Sequence, residues 1–128
     1  HMCAFNYRSI PALNLAKMMI KSGELGEVRH FRSRFLLNML PKDNSLSWRF
    51  SQSKAGFGAL GDLGSHHIDQ ARFLVGEIIR VSALTKTWSI DSKKEIQDVN
   101  DDAFVCIAEL ENGPLQVLKL RELLMHII

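Results

Sequence analysis

The sequence lacks any apolar run approaching the roughly 18 to 20 residues that cross a bilayer, and its start shows no signal segment. It also lacks a basic stripe, because lysine and arginine are scattered among acids and the formal net charge is only +2. Neither a membrane nor nucleic acid is therefore expected as a partner. Hydrophobic residues make up 46% of the 128 residues, which is enough to bury the core of one domain. A soluble, cytoplasmic protein is predicted.

Cysteine is scarce as well. Cys3 and Cys106 each lie in an apolar run, which predicts reduced, buried thiols rather than a disulfide framework. His1-Met2 resembles the remnant of an expression tag and is left out of the fold argument. The domain is taken as residues 3–128. It opens directly in a strand-like segment, Cys3 to Arg8, and this abrupt start suggests a piece of a longer protein.

Two helices are predicted from apolar residues at helical spacing. The first covers Ile10 to Ser22, with Ser9 as its cap, Pro11 in its first turn and Gly23 as a left-handed stop. The second runs from about Ala59 to Val75.

The remaining pattern predicts strands and one long loop. Apolar and polar residues alternate along residues 27–37, which predicts a strand with one solvent-exposed face. Residues 38–58 are predicted to form a loop with one short helical turn. Further strands are predicted at residues 78–88, 103–110 and 115–120, the last two joined by a hairpin at Asn112-Gly113. The expected fold class is α+β, a predominantly antiparallel open sheet with helices packed on one face.

The most informative residues are Asp62, His66 and Asp69, which follow one another at spacings of four and three. On a helix they fall at about 0°, 40° and 340°, so an acid and an imidazole share one stripe. Oxidation of an alcohol needs a base for the hydroxyl proton, and histidine titrates near neutral pH. His66 is therefore the candidate base, and Asp62 is placed to hold the same hydroxyl or to stabilise the imidazolium. Gly58, Gly61 and Gly64 allow close approach of a ligand or a neighbouring element.

Simpler interpretations stay open. Asp62 could be a helix cap, His66 a structural side chain, and Asp69 the partner of Arg72 or another cation. Asp62, His66 and Asp69 could instead bind zinc or manganese, although no further histidine or cysteine cluster supports a metal site. His67 points about 100° away from His66 and is expected to be structural.

Several ordered motifs resemble the glucose-fructose oxidoreductase, inositol dehydrogenase and MocA family of NAD(P)-dependent oxidoreductases. They are Asn6-Tyr7-Arg8 before Pro11-Ala12, then Gly23 to Val28, Trp48-Arg49-Phe50, Gly58 to His66 with Asp69, and Glu111-Asn112-Gly113.

The resemblance implies roles for particular residues. Asp62 and His66 match the catalytic groups of the family. Asn6 and Tyr7, and less strongly Asn38 and Trp48, match places that line the substrate pocket, and Asp69 is grouped with them. Tyr7 and Trp48 could equally be packing aromatics. Arg8 and Arg49 could form structural ion pairs only.

The chain departs from the family in two ways. Similar enzymes carry an N-terminal Rossmann domain with a Gly-x-Gly-x-x-Gly turn between a strand and a helix, and a catalytic lysine in a Glu-Lys-Pro segment. This sequence has no Glu-Lys-Pro segment, and its one such glycine pattern, Gly56 to Gly61, follows a predicted loop rather than a strand. The resemblance therefore implies the C-terminal, substrate-binding and oligomerisation domain alone. NAD or NADP would be bound mainly by the absent domain, and the isolated chain is expected to be inactive. The tail, Glu122 to Ile128, also departs, so the sheet could be incomplete.

The leading hypothesis is the catalytic half of an oxidoreductase that acts on a secondary alcohol of a sugar, cyclitol or similar small molecule. The alternative is a module that forms a homo-oligomer through its sheet face without catalysis. Redox-assisted glycoside cleavage is a third reaction that the residues allow.

Overall fold

The computed structural model describes residues 1–37, 48–88 and 98–111, and the backbone of 115–121. Within these ranges the fold is α+β. The helices are α1 (Pro11–Lys21), α2 (Gln52–Ala55) and α3 (Ser65–Leu74), and the strands are β1 (His30–Phe35), β2 (Ile78–Lys86), β3 (Ala103–Leu110) and β4 (Leu115–Arg121). Short 3-10 turns span Asn6–Ser9 and Trp48–Phe50, and a π-helical turn, Leu60–Gly64, leads directly into α3.

The four strands form one sheet in the order β1-β4-β3-β2. The β2–β3 and β3–β4 pairs are antiparallel, and the β1–β4 pair is parallel. The predicted α+β class and predominantly antiparallel sheet are thus confirmed. The parallel pairing of β1 is an addition, because turn signals report only on strands that are neighbours in sequence.

One side of the sheet, here called the covered face, carries the core. Phe104 and Cys106 of β3 are buried there, and the partly buried hydrophobic side chains packed on them come from β1, the π turn and α3: Phe31, Phe35, Leu60, Leu63 and Ile68. The burial of β1 alternates as predicted, with Ser33 buried between exposed Arg32 and Arg34. The covered face therefore fixes the position of the π turn and of α3.

The other side, here called the open face, is much less covered. Ile107 lies between the buried residues Cys106 and Ala108 on β3 and is 48% exposed. Leu84 of β2 pairs with Val105, which lies on the same face of β3 as Ile107. Leu84 therefore belongs to the open face, and it is 74% exposed. None of the helices in the described ranges has the length and hydrophobicity of a membrane span.

Several sequence predictions meet the structure closely. The first helix begins and ends within one residue of the predicted bounds, and Gly23 has the left-handed φ of 78° expected just after the helix. Helical structure at 60–74 agrees with the prediction for 59–75. Two predictions lie outside the described residues: the first ten residues of the predicted loop, which include Asn38, and the hairpin at Asn112-Gly113.

The N-terminal segment is the main correction. Residues Cys3 to Arg8 do not form a strand, because Asn6–Ser9 is a 3-10 turn held by contacts with α3. Ser9 does not cap α1: it belongs to that turn, and the N-cap is Ile10, which makes no side-chain capping bond. Cys3 is exposed rather than buried, whereas Cys106 is buried as predicted.

Candidate active site

The π turn Leu60–Gly64 carries Asp62 and is anchored by a distant residue. The Asp101 carboxylate accepts hydrogen bonds from the backbone N–H groups of Gly58 (3.1 Å) and Leu60 (2.8 Å). The Asp101 carbonyl oxygen accepts another from Ala59 N–H (2.9 Å). A Cβ on Gly58 would collide with that carbonyl oxygen, so glycine is required for the approach. π turns are rare and occur often at functional sites.

Gly64 and Gly61 also lie where a side chain would not fit. A Cβ on Gly64 would lie 2.7 Å from Cζ of Phe104, and one on Gly61 would collide with the ring of Phe57. The three glycines, Gly58, Gly61 and Gly64, thus allow the backbone of the π turn to lie against Asp101 and against the rings of Phe57 and Phe104. Of the two alternatives that the sequence left open, close approach to a neighbouring element is the one seen.

His66, the candidate base, is half-buried at the start of α3 and is flanked by aromatic rings. The ring of Tyr7 lies 5.1 Å from the His66 ring, centroid to centroid, and that of Phe5 lies 5.8 Å away in an edge-to-face arrangement. The Nδ1 atom of His66 is buried and has no hydrogen-bond partner among the described residues. A buried, unpartnered ring nitrogen is costly and is typical of a site that a ligand or water completes.

Asp62 has a different environment. Its side chain is 44% exposed and lies 3.6 Å (Oδ2) from Nε of Arg49, a charge contact rather than a hydrogen bond. The guanidinium of Arg49 in turn stacks over the Trp48 ring at 4.6 Å. Asn100 holds the Trp48–Phe50 turn in place, because its side-chain amide donates to the Arg49 carbonyl (3.0 Å) and its backbone N–H donates to the Phe50 carbonyl (3.0 Å). Asp62 therefore stays accessible beside a cation and an aromatic ring.

Asp69 lies on α3 three residues after His66 and is buried. It is 3% exposed, and both of its oxygens accept hydrogen bonds from Arg8, at 2.9 Å from Nε and 2.6 Å from Nη2. This pairing with a cation was the simpler interpretation of Asp69. Within the described residues, no group of three or more histidine, cysteine, aspartate or glutamate side chains is arranged to hold a metal ion.

His67 and Ser33 form a buried polar pair under α3. The Ser33 Oγ and His67 Nδ1 atoms are hydrogen-bonded at 2.5 Å, and both side chains are buried. Burial lowers the pKa of His67 below its ordinary value, and the neighbouring His66 lowers it further. His67 is therefore neutral at physiological pH, which agrees with the structural role expected for it.

Two of the other predicted site residues, Asn6 and Tyr7, lie in the Asn6–Ser9 turn, and Trp48 lies in the Trp48–Phe50 turn. Tyr7 is half-buried against His66, and Asn6 is exposed in the same turn. Trp48 is 55% exposed. A separate surface cavity of about 480 Å³ is lined by Phe57, Lys86 and Asn100, among others, and includes neither Asp62 nor His66.

Three residues of this region were missed by the sequence analysis. Phe5 was assigned to a strand, Ser33 lay in a predicted strand without a role of its own, and Asp101 was assigned no role. Their contacts join residues 34 to 61 positions apart, such as Ser33 with His67, so no local spacing could have indicated them. Arg8 and Arg49 were noted as ion-pair residues, but their partners were not predicted.

The model of the GFO/IDH/MocA C-terminal domain matches residues 13–121. The chain therefore belongs to the GFO/IDH/MocA family and represents its C-terminal domain.

Among curated proteins, it is 44% identical over 120 residues to a levoglucosan dehydrogenase of Pseudarthrobacter phenanthrenivorans, covering 91% of this chain and 30% of that protein. It is 32% identical over 111 residues to a glucose-6-phosphate 3-dehydrogenase of Bacillus subtilis, covering 84% of this chain and 32% of that protein. A solved levoglucosan dehydrogenase, in complex with NADH and levoglucosan, superposes with a TM-score of 0.84 at 41% identity, covering 95% of this chain and 34% of that one. The chain thus spans about a third of the length of these relatives.

Proposed function

We propose that this chain is the substrate-binding and catalytic half of an NAD(P)-dependent oxidoreductase that oxidises a secondary alcohol of a sugar, cyclitol or similar small molecule. The observation that carries the proposal is the buried, unpartnered nitrogen of His66, one helical turn beyond a half-exposed Asp62. Family membership and the sugar dehydrogenases among its relatives support the same reaction class.

The residues of this chain supply the proton chemistry. His66 accepts the proton of the substrate hydroxyl, and the negative charge of Asp62 stabilises the imidazolium that forms. The aromatic rings of Phe5 and Tyr7 restrict water around the His66 ring and hold it in one orientation. Trp48, stacked on Arg49, offers an exposed aromatic surface of the kind that packs against a sugar ring.

NAD or NADP, when bound, supplies the hydride acceptor. The donor and acceptor set of His66 and Asp62 fits an alcohol that faces a nicotinamide. The glycine pattern Gly56 to Gly61 follows α2 rather than a strand, so it lacks the strand-to-helix setting of a pyrophosphate-binding turn. We therefore assign most of the cofactor contacts to a dinucleotide-binding domain outside this chain. Dependence on an NAD(P) pool, together with thiols that are free, makes the cytoplasm the proposed location.

The test is reduction of nicotinamide by the full-length protein that carries this chain, with levoglucosan and other polyols as substrates. His66→Ala should lower kcat by roughly 10²- to 10⁴-fold, the usual contribution of a general base. Asp62→Asn should lower it in the same direction. His30→Ala is the matched control, because His30 is an exposed histidine on β1. Undiminished turnover in the His66 and Asp62 variants would overturn the proposal.

The isolated 128-residue chain gives a second check. Because its Gly56 to Gly61 pattern does not join a strand to a helix, the chain should bind NAD or NADP only weakly and should reduce neither. Calorimetric titration of the chain with each cofactor measures this. Submillimolar affinity would contradict the assignment of cofactor binding to another domain.

We also propose that the open face associates with a second copy of the chain. Exposed apolar side chains on that side, Ile107 and Leu84, favour this second role. Light scattering of Leu84→Lys should show a smaller particle than the parent. Val81→Lys is the control, since Val81 is a similarly exposed residue of β2 that pairs with Ala108 and so lies on the covered side. Equal particle sizes in all three proteins would exclude this interface.

A further inference from the structure

The Arg8–Asp69 ion pair joins the Asn6–Ser9 turn to α3. Asp69 is almost fully buried, whereas the Arg8 side chain is 49% exposed and reaches in from the surface. Two parallel hydrogen bonds from one guanidinium to one carboxylate fix direction as well as distance. A buried carboxylate needs such a partner, because an unpaired charge in the interior is unfavourable.

Arg8 is held at both ends. Its carbonyl oxygen accepts a hydrogen bond from Asn14 Nδ2 (2.8 Å), which ties the backbone to α1. Its guanidinium lies 5.4 Å from the centre of the Phe73 ring on α3, in addition to its bonds with Asp69. None of the four residues of the turn is buried, so the turn has no core of its own to fix it.

Tyr7, the residue before Arg8, is the part of the turn that faces the candidate site. Its ring lies 5.1 Å from that of His66 and 6.1 Å from that of His67. A displacement of the turn would therefore change the surroundings of the His66 ring. Asp69 lies three residues after His66 on α3. The same helix therefore carries the candidate base, His66, and the carboxylate that binds Arg8.

We infer that Arg8 and Asp69 are a positioning pair, which holds Tyr7 against His66 and so sets the geometry of the sugar site. The inference rests on the proposed function for its catalytic consequence, but not for its structural part. It also gives Asp69 a role different from direct substrate binding, since both carboxylate oxygens are bonded to Arg8.

A second ion pair of α3 provides the matched control. Arg72 donates to Glu77 through Nε (2.7 Å) and Nη2 (3.1 Å), so it has the same forked geometry. The side chains of Arg72 and Glu77 are exposed, at 45% and 58%. They interact electrostatically with Arg8, but no hydrogen bond or ion pair joins them to the described Asn6–Ser9 turn. Arg72→Ala removes an equivalent pair without touching Tyr7.

The structural part is tested by NMR of the His66 ring protons. In the parent protein, the Tyr7 ring should displace these signals by its ring current. Arg8→Ala should abolish that displacement, Arg8→Lys should reduce it, and Arg72→Ala should leave it unchanged. Arg8→Lys keeps the charge but loses the fork, so it serves as the milder variant where Arg8→Ala folds poorly. Unchanged His66 signals in folded Arg8→Ala or Arg8→Lys would overturn the inference.

The catalytic part is tested in the full-length protein by kcat/KM for the sugar and by rescue with millimolar guanidinium. Arg8→Ala should lower kcat/KM by about 10- to 100-fold, as expected for a displaced site, while Arg72→Ala retains it. Added guanidinium can pair with Asp69 and restore the melting temperature, but it is not linked to Tyr7. Recovery of stability without recovery of kcat/KM supports a positioning role, and recovery of both would show a structural role only.

The two proposals fail in different ways. If His66→Ala leaves turnover intact, the proposed function is wrong, and the NMR result still decides whether the pair positions Tyr7. If His66→Ala abolishes turnover while Arg8→Ala changes neither the His66 signals nor kcat/KM, the positioning inference is wrong and the proposed function stands.

Discussion

The covered and open faces of the same sheet differ in what they do with polar residues. On the covered face, polar side chains are buried in pairs, such as Ser33 with His67. On the open face, the pair Arg80–Glu109 is joined at 3.0 Å but remains in solvent, with Arg80 81% exposed. Burial makes a polar pair directional and specific, whereas exposure leaves it weak. The candidate site lies on the side where such pairs can fix geometry.

The largest expected difference between the faces concerns two positions of β3, Phe104 on the covered face and Ile107 on the open face. Phe104→Ala should lower the free energy of unfolding by about 3–5 kcal/mol, because the ring is buried at the centre of the core. Ile107→Ala should cost less than about 1 kcal/mol, because this side chain is half-exposed. Urea denaturation measures both, with Phe104→Leu as the milder core variant. Equal losses at Phe104 and Ile107 would mean that the two faces are equally covered.

A smaller effect is expected where α3 meets the covered face. Gly64→Ala should destabilise the protein by about 1–3 kcal/mol, because the added Cβ would lie 2.7 Å from the Phe104 ring. The cost should shrink in a Phe104→Leu background, where the far ring atoms are gone. The double-mutant cycle, measured by denaturation, checks the contact. Additive losses would show that Gly64 is needed for another reason.

The buried histidine should make stability depend on pH. Burial lowers the pKa of His67 in the folded state below the ordinary value of 6.5, so protons bind better to the unfolded chain. The stability is therefore complete above pH 6.5 and falls as the pH drops below it, by at most about 1.4 kcal/mol per pH unit for one proton. His67→Gln should reduce this slope, and His30→Ala should not. Thermal unfolding between pH 5 and 8 measures it, and equal slopes in all three proteins would contradict the assignment.

The smallest effect is expected on the open face. Removal of the Arg80–Glu109 pair by Arg80→Ala should change the free energy of unfolding by about 0–1 kcal/mol, and by less in high salt. Denaturation at low and high salt concentration checks this. A large, salt-independent loss would mean that the pair is buried by a partner on that face.

The sequence predicted those parts of the molecule that depend on local periodicity. Alternation along β1 and the helical spacing in α1 and in residues 60–74 were sufficient to place these elements. The N-terminal segment was assigned wrongly because its conformation depends on Asp69, 61 positions away from Arg8. The parallel β1–β4 pairing escaped prediction for the same reason.

The candidate site was predictable in its residue types but not in its arrangement. The spacing of Asp62, His66 and Asp69 indicated one stripe, yet each side chain has a different neighbour: Arg49, the rings of Phe5 and Tyr7, and Arg8, respectively. The π turn changes the angular step between Asp62 and His66, which a regular helical wheel does not include. Partners that come from distant segments decide which carboxylate is accessible and which is buried.

In the proposed function, the hydroxyl of the sugar contacts the imidazole ring of His66. The most direct measurement is a titration of the full-length, cofactor-loaded protein with levoglucosan, followed through the ¹⁵N signals of the imidazole rings. We expect a saturable change at His66, with the exposed ring of His30 unaffected. Saturable binding of the sugar with the His66 signals unmoved would contradict it.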